Sequence, residues 1–417
     1  MHNSTDTATV MAAPMPNAMS HAGVVLILAL LLGSQAVTTD LYLPALPSLT
    51  EGFAASLPQA QLTLTALLLA FGLSQLVWGP LSDRYGRRPV LLWGMGAYTL
   101  ASVGCALAPS MDLLIVWRTL QGVAMGAAVM AARAVVRDLY APVDGARVMS
   151  QALTGLGMIA CACAPLGGWL TDHWGWRSAL MVLAVFGVMT WSLLALQFKE
   201  TLVQANPKAL QVQGLVTAWQ DILRNPTFRA YCALSSCSYL GLFTFLAASS
   251  FVFVRQFGLS KTHYGLLMMS MSFSYIVGTF ICRRLLQRMS VQRCVALASC
   301  CTLTGGISLT ALAYAGHHQT WYGPWAVMVP VYLFMLAHGV HQPCGQSGAV
   351  APFPHRAGTA SALNGFLMML GAFFMGAWLG THLDQPVFAL AHGMLLWSGC
   401  IAVLAWTWVR RLPLPGT

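Results

Sequence analysis

The sequence predicts an all-α membrane protein in which twelve transmembrane helices form two pseudo-symmetric six-helix bundles, and three observations carry that expectation. First, 57% of the 417 residues are hydrophobic and only 8% are charged, whereas an ordinary soluble domain is about a quarter charged. Second, the apolar residues collect into twelve runs, each near the roughly 20 residues that cross about 30 Å of hydrocarbon. Third, the chain echoes itself: Leu81-Ser82-Asp83-Arg84 after the second run matches Leu285-Leu286-Gln287-Arg288 after the eighth, half a chain later. A half-length repeat with a basic loop after the second helix of each copy points to two related bundles meeting at a central site.

The first bundle, 22–197, takes the runs 24–43, 61–78, 90–108, 113–132, 149–170 and 178–197. The second, 227–409, takes 228–254, 264–282, 291–315, 325–345, 357–380 and 387–409. Between them, 198–226 is the longest polar stretch and carries Val212, Leu215, Val216 and Trp219 at helical spacing, which predicts a linker with an interfacial amphipathic helix. The tails are 1–21 and 410–417.

Charge orients this arrangement. With the N-terminal tail cytoplasmic, the inner loops and tail hold 17 of the 21 Lys and Arg, among them Arg133 and Lys208, while the outer loops hold only Arg177, Arg255 and Lys261, and Arg118 falls inside a run. Basic residues concentrate on the cytoplasmic side of membrane proteins, so both termini are expected inside. The net charge of +10 is thereby explained without nucleic acid, which would need a basic patch on a folded, water-exposed surface. The first twenty residues hold no Lys or Arg, so the n-region of a cleaved signal is missing. The eleven cysteines lie mostly in apolar runs, Cys161 and Cys163 among them, and read as packing residues rather than a disulfide framework.

Gly79-Pro80-Leu81-Ser82-Asp83-Arg84-Tyr85-Gly86-Arg87-Arg88 follows the second run. Gly86 permits a tight turn, Gly79 lets a neighbouring helix approach, and Asp83 can sit against a helix N-terminus, where the dipole favours negative charge. The segment resembles the signature loop of the major facilitator superfamily, so the fold expected is the major facilitator fold, and the resemblance implies that Gly79, Asp83, Arg84, Gly86, Arg87 and Arg88 latch one conformational state. Trp117-Arg118-Thr119-Leu120-Gln121-Gly122-Val123-Ala124-Met125-Gly126 resembles the helix 4 motif of the same family. An Arg inside a span costs at least ~2.5 kcal/mol unless paired or hydrated, so Arg118 should face a cavity, while Gly122 and Gly126 offer a close-approach surface.

Asp40, in Thr38-Thr39-Asp40-Leu41-Tyr42-Leu43-Pro44-Ala45-Leu46-Pro47, is the one carboxylate inside any run. Taking a carboxylate out of water favours its neutral form, which suits a proton carrier; the alternative is a structural Asp held by backbone amides at a helix end. The run resembles the end of helix 1 in the Bcr/CflA drug exporters, and Pro354-His355-Arg356-Ala357-Gly358-Thr359-Ala360-Ser361-Ala362 is similar to the same subfamily. That resemblance implies antiport of small, largely apolar drugs against protons, with Asp40 accepting the proton and Arg118 pairing with it in one state. Helix 5 carries Gly157, Pro165, Gly167 and Gly168 in a pattern similar to the antiporter motif, although Ala164 stands where a Gly is usual and Pro165 lies one residue closer to the Gly pair.

Candidate substrate contacts are Gln35, Tyr42, Gln121, Met125, Tyr239, Phe243, His338 and His341. The Met and aromatic residues of the second half, such as Met268, Met269, Met271 and Phe273, suit an adaptable wall, though most should pack or face lipid. His338, His341 and Cys344 lie three apart on one helix, but a metal site would need ligands from a second helix, and none is expected. Nor is a nucleotide, because no G-x-x-x-x-G-K-[ST] loop occurs. The expected partners are a small-molecule substrate, protons and the bilayer, around a monomer without a cofactor. A metabolite carrier for a purine or amino acid, and a membrane metal handler, are the rival readings.

Overall fold

The computed structural model describes residues 19–207, 209–316, 319 and 321–412. The outer parts of both expected tails and Lys208 lie outside the described residues, as does the side chain of Val212. Among the described residues there is no strand, and twelve helices are long and apolar enough to cross a membrane.

In the first half these are α1 (His21–Asp40) continued by α2 (Leu46–Gly52), α3 (Leu57–Tyr85), α4 (Arg87–Leu107), α5 (Met111–Leu139), α6 (Pro142–Trp174) and α7 (Trp176–Gln197). After the short linker helix α8 (Val212–Arg224), the second half has α9 (Pro226–Ser250), α10 (Lys261–Leu286), α11 (Val291–Gly316), α12 (Pro324–Val350), α13 (Ala357–Gly380) and α14 (Pro386–Val403). Strict alternation of direction puts the linker and both described termini at one end, the linker end, and Gly52, Leu57 and Lys261 at the other, the far end. Two helix pairs join the halves, α3 with α13 and α6 with α10.

The first span is longer than its apolar run. Pro44 has no N–H for the Asp40 carbonyl, so α1 stops there. A 3₁₀ turn at Leu43–Ala45 then carries the chain into α2, with Pro47 in its first turn. Asp40 is therefore not at the end of the first span, which runs on to Gly52. Other helices also outrun their apolar runs. Asp83, Asp138 and Asp172 lie in the last turns of α3, α5 and α6, and Arg133 lies inside α5 rather than in a loop. Asp40 is thus not the only acid within a spanning helix, but it is the only one away from the ends of its span.

Glycine packing follows the sequence at one place and departs from it at another. A Cβ on Gly122 would collide with the Leu67 carbonyl, so α5 and α3 touch backbone to backbone. A Cβ on Gly79 would meet only Met130 Cε at 3.7 Å, an ordinary contact, so Gly79 is not needed for a close approach.

Candidate functional site

Arg118, fully buried, ties four segments of the first half together. Its Nη1 donates to Gln121 Oε1 at 2.7 Å, Nη1 and Nη2 both donate to the Thr38 carbonyl at 3.2 Å, and Nε donates to the Thr63 carbonyl at 3.4 Å. Its guanidinium carbon stands 4.3 Å from the centre of the Tyr42 ring. The partners are themselves held: Gln121 Nε2 donates to Ser102 Oγ at 2.7 Å, Tyr42 OH bonds Thr63 Oγ1 at 2.6 Å, and Thr38 Oγ1 bonds Tyr98 OH at 2.7 Å. The Thr38 carbonyl is open to Arg118 because the Tyr42 N–H, its partner in a continuous α-helix, turns to the Thr39 carbonyl instead. A cation at the carbonyl end of α1 also complements the helix dipole.

In the state this structure shows, no ion pair joins Arg118 to Asp40. Residues two apart on a helix point to different sides, and the Thr38 side chain points into the first half, to Tyr98. Asp40 instead turns toward the seam between the halves. It is half-buried, and its Oδ1 accepts from Thr39 Oγ1 at 2.9 Å. The Leu43–Ala45 turn that follows it packs against α6 of its own half and α9 and α10 of the other. Backbone amides, the structural alternative, make no hydrogen bond to it among the described residues.

The candidate substrate contacts divide. Gln35 and Tyr239, like Asp40, are half-buried. Tyr42, Gln121, Met125, Phe243, His338 and His341 are at most 3% exposed. The two histidines diverge: His338 Nδ1 bonds Ser238 Oγ at 2.8 Å on α9, and His341 Nε2 bonds Thr302 Oγ1 at 3.0 Å on α11, leaving His341 Nδ1 with no partner. Among the described residues no group of three or more His, Cys, Asp or Glu is placed to hold a metal.

In helix α6, a Cβ on Gly167 would strike the Leu41 carbonyl just beyond Asp40, and one on Gly168 would strike the Lys261 carbonyl of the second half. Gly265 of α10 returns the contact against the Ala164 carbonyl and Pro165. Gly157, toward the linker end, faces open space. The far part of α6 is thus pressed between α1 and α10, and below it α6 still packs on α1, where a Cβ on Gly155 would lie 2.7 Å from Ala29 Cβ.

At the linker end, Gly86 turns the chain with φ of 101°. Arg87, 2% exposed, donates to Asp83 Oδ1 at 2.7 Å, to Asp138 Oδ2 at 2.7 Å and to Ser82 Oγ at 2.5 Å. Arg84 lies beside the Tyr85 ring, and Arg88 donates to the Phe198 and Ala195 carbonyls. Asp83 is not seated on a helix N-terminus; it is held by Arg87, with Arg137 3.8 Å away. The anion at the start of α4 is Glu200, whose two oxygens accept the Arg87 and Arg88 backbone N–H groups at 2.8 and 3.0 Å. Sequence reading missed Glu200 because it lies over a hundred residues away, and missed Asp138 because its apolar run ends before it.

A family model for the Major Facilitator Superfamily matches residues 28–376. The chain belongs to this superfamily. Its members are transporters, so this major facilitator protein is a multi-pass membrane transporter of small molecules and not an enzyme. Among curated proteins it is 29% identical over 385 residues to multidrug resistance protein D of Escherichia coli K12, covering 91% of this chain and 94% of that one. It is 30% identical over 347 residues to the chloramphenicol resistance protein of Pseudomonas aeruginosa, covering 82% and 79%. A bicyclomycin resistance protein homologue of Haemophilus influenzae is 26% identical, covering 88% and 90%. Among solved structures, a D-xylose-proton symporter superposes with a TM-score of 0.70 at 15% identity, covering 93% of this chain and 98% of that one. A bacterial homologue of the lysosomal transporter Spinster superposes with 0.69 at 16%, covering 93% and 96%. These two establish the fold alone.

Proposed function

We propose that this major facilitator protein exports small, largely apolar drugs of the chloramphenicol and bicyclomycin kind in exchange for protons, by alternating access, as a monomer without a cofactor. The linker end faces the cytoplasm, as the excess of Lys and Arg in its loops supports. The observation that carries the exchange is Asp40, an acid on the seam between the halves, half-buried and without an ion-pair partner among the described residues. Three relatives named for drug or antibiotic resistance support the substrate class.

Asp40 takes a proton from the outside when the far end is open and gives it up to the cytoplasmic side when the linker end is open. Substrate and proton compete for the same seam, so each drives the other out. Arg118 acts elsewhere: it braces the bent end of α1 against α5 and keeps Asp40 turned to the seam. For one proton per neutral substrate, a potential of ~100 mV contributes about 2.3 kcal/mol and one pH unit about 1.4. Together they sustain a gradient of roughly several hundredfold.

The test is the pH change produced by chloramphenicol-like compounds and by unrelated amphiphiles in liposomes containing the protein, wild type against Asp40→Asn. Proton movement in the wild type and none in the variant supports antiport through Asp40. Persistence in the variant moves the proton site elsewhere. A wild type that moves protons only with a purine or amino acid replaces the drug with a metabolite.

A further inference from the structure

At the far end the two halves meet through one carboxylate. Asp172, in the last turn of α6, accepts the Thr262 backbone N–H at 2.9 Å, the Thr262 hydroxyl at 2.7 Å and the Lys261 backbone N–H at 3.4 Å, and it lies 3.5 Å from Lys261 Nζ. Lys261 and Thr262 open α10, whose own N-cap, Ser260, satisfies only the His263 N–H. First-turn amides have no partner inside their helix, and negative charge is favoured at that end. Asp172 is therefore a second cap for α10, supplied by the other half of the molecule. Around it the backbones are pressed together at Gly168 and Gly265, and nearby Gln61 Nε2 donates to the Ala247 carbonyl at 2.7 Å, again across the halves.

The linker end is joined differently. There Arg133 Nη1 donates to Ser361 Oγ at 2.9 Å, and Arg137 Nη1 stands 3.6 Å from where a Cβ on Gly358 would be, beside the first turn of α13. A cation against a helix N-terminus is on the unfavourable side of the dipole. One end is held by a carboxylate on the first amides of a helix, the other by arginines near a helix start, one of them on a hydroxyl.

We infer that Asp172 is a positioning residue for transport: its hold on α10 keeps the far end shut, and its release is a step in opening the protein to the outside. This rests on the alternating-access part of the proposed function and is independent of the substrate. A cap of this kind contributes roughly a fivefold to tenfold bias in a two-state balance.

Hydrogen exchange of the full chain, without substrate, tests it on Asp172→Ala, Asp172→Asn and Arg133→Ala, with thermal unfolding checking that each variant folds. In Asp172→Ala, peptides from the ends of α6 and α10 at the far end should exchange several-fold faster, while peptides around Arg133 and Ser361 exchange more slowly, because opening one end closes the other. Asp172→Asn, which keeps an acceptor and loses the charge, should fall between. Faster exchange at the far end with no change at the linker end would reduce Asp172 to a local cap and overturn the inference. If Arg133→Ala alters exchange at the far end while Asp172→Ala leaves the linker end untouched, alternating access stands and the Asp172 latch fails. If neither variant affects the opposite end, both fail.

Discussion

The two six-helix halves share a topology and divide the chemistry. The first half encloses a buried Arg118 and the half-buried Asp40, whereas the six spanning helices of the second half contain no Asp or Glu. The two histidines buried in the second half bond to hydroxyls, His338 to Ser238 and His341 to Thr302. Moving a charge through a closed, water-poor state is costly, so in the proposed exchange the first half, with its acid on the seam, is the one that answers to the proton. The other offers a wall that stays neutral while substrates differ. The difference teaches where to test coupling first: at the acid on the seam, with the enclosed histidines as the control.

The largest effect should come from Asp40→Asn, which is expected to bring substrate-driven proton movement down to the level of protein-free liposomes while leaving thermal unfolding nearly unchanged. His338→Gln in the same assay should keep its coupling. Loss of coupling in the histidine variant would break the contrast between the halves.

Next comes Arg118→Ala, which strands the Thr38 carbonyl and the Gln121 side chain in the interior. Leaving buried partners unsatisfied costs about 3 kcal/mol, read as a lower denaturant midpoint. Arg118→Lys, which keeps the charge and loses the fork, should recover only part of it. A full recovery would mean that charge alone, and not the geometry at the end of α1, is what the site requires.

Glu200→Ala should be smaller. It removes the anion that caps α4 across the linker junction, and caps of this type contribute about 1 kcal/mol. Glu200→Gln should lose less, and denaturant unfolding distinguishes the two. The smallest effect belongs to His341→Phe. With Nδ1 already unpartnered and only the Thr302 contact to lose, it should change stability by about 1 kcal/mol or less and leave coupling intact.

Much of the fold was legible because membrane solvation writes it into composition. Twelve apolar runs, a basic side, the Gly86 turn and the Gly122 close approach each follow from a local requirement, namely burial in lipid, charge kept out of it, a positive φ, or the absence of a Cβ. The helix ends were less legible. Asp83, Asp138 and Asp172 look like loop residues because spanning helices continue past the hydrocarbon, where polar residues carry no penalty.

What the sequence by itself determined is the number of spans, their pairing into halves and the family they belong to. Tertiary structure alone decided which group answers which. Arg118 found the freed carbonyl of Thr38 rather than the carboxylate of Asp40, because residues two apart on a helix face different neighbours and because Pro44 ends α1 just beyond them. Glu200, not Asp83, reached the start of α4, and Asp172 reached the start of α10 from the other half. Unsatisfied amides and carbonyls at helix ends are visible in any sequence that breaks a helix; the partner that fills them comes from whichever segment the packing brings alongside.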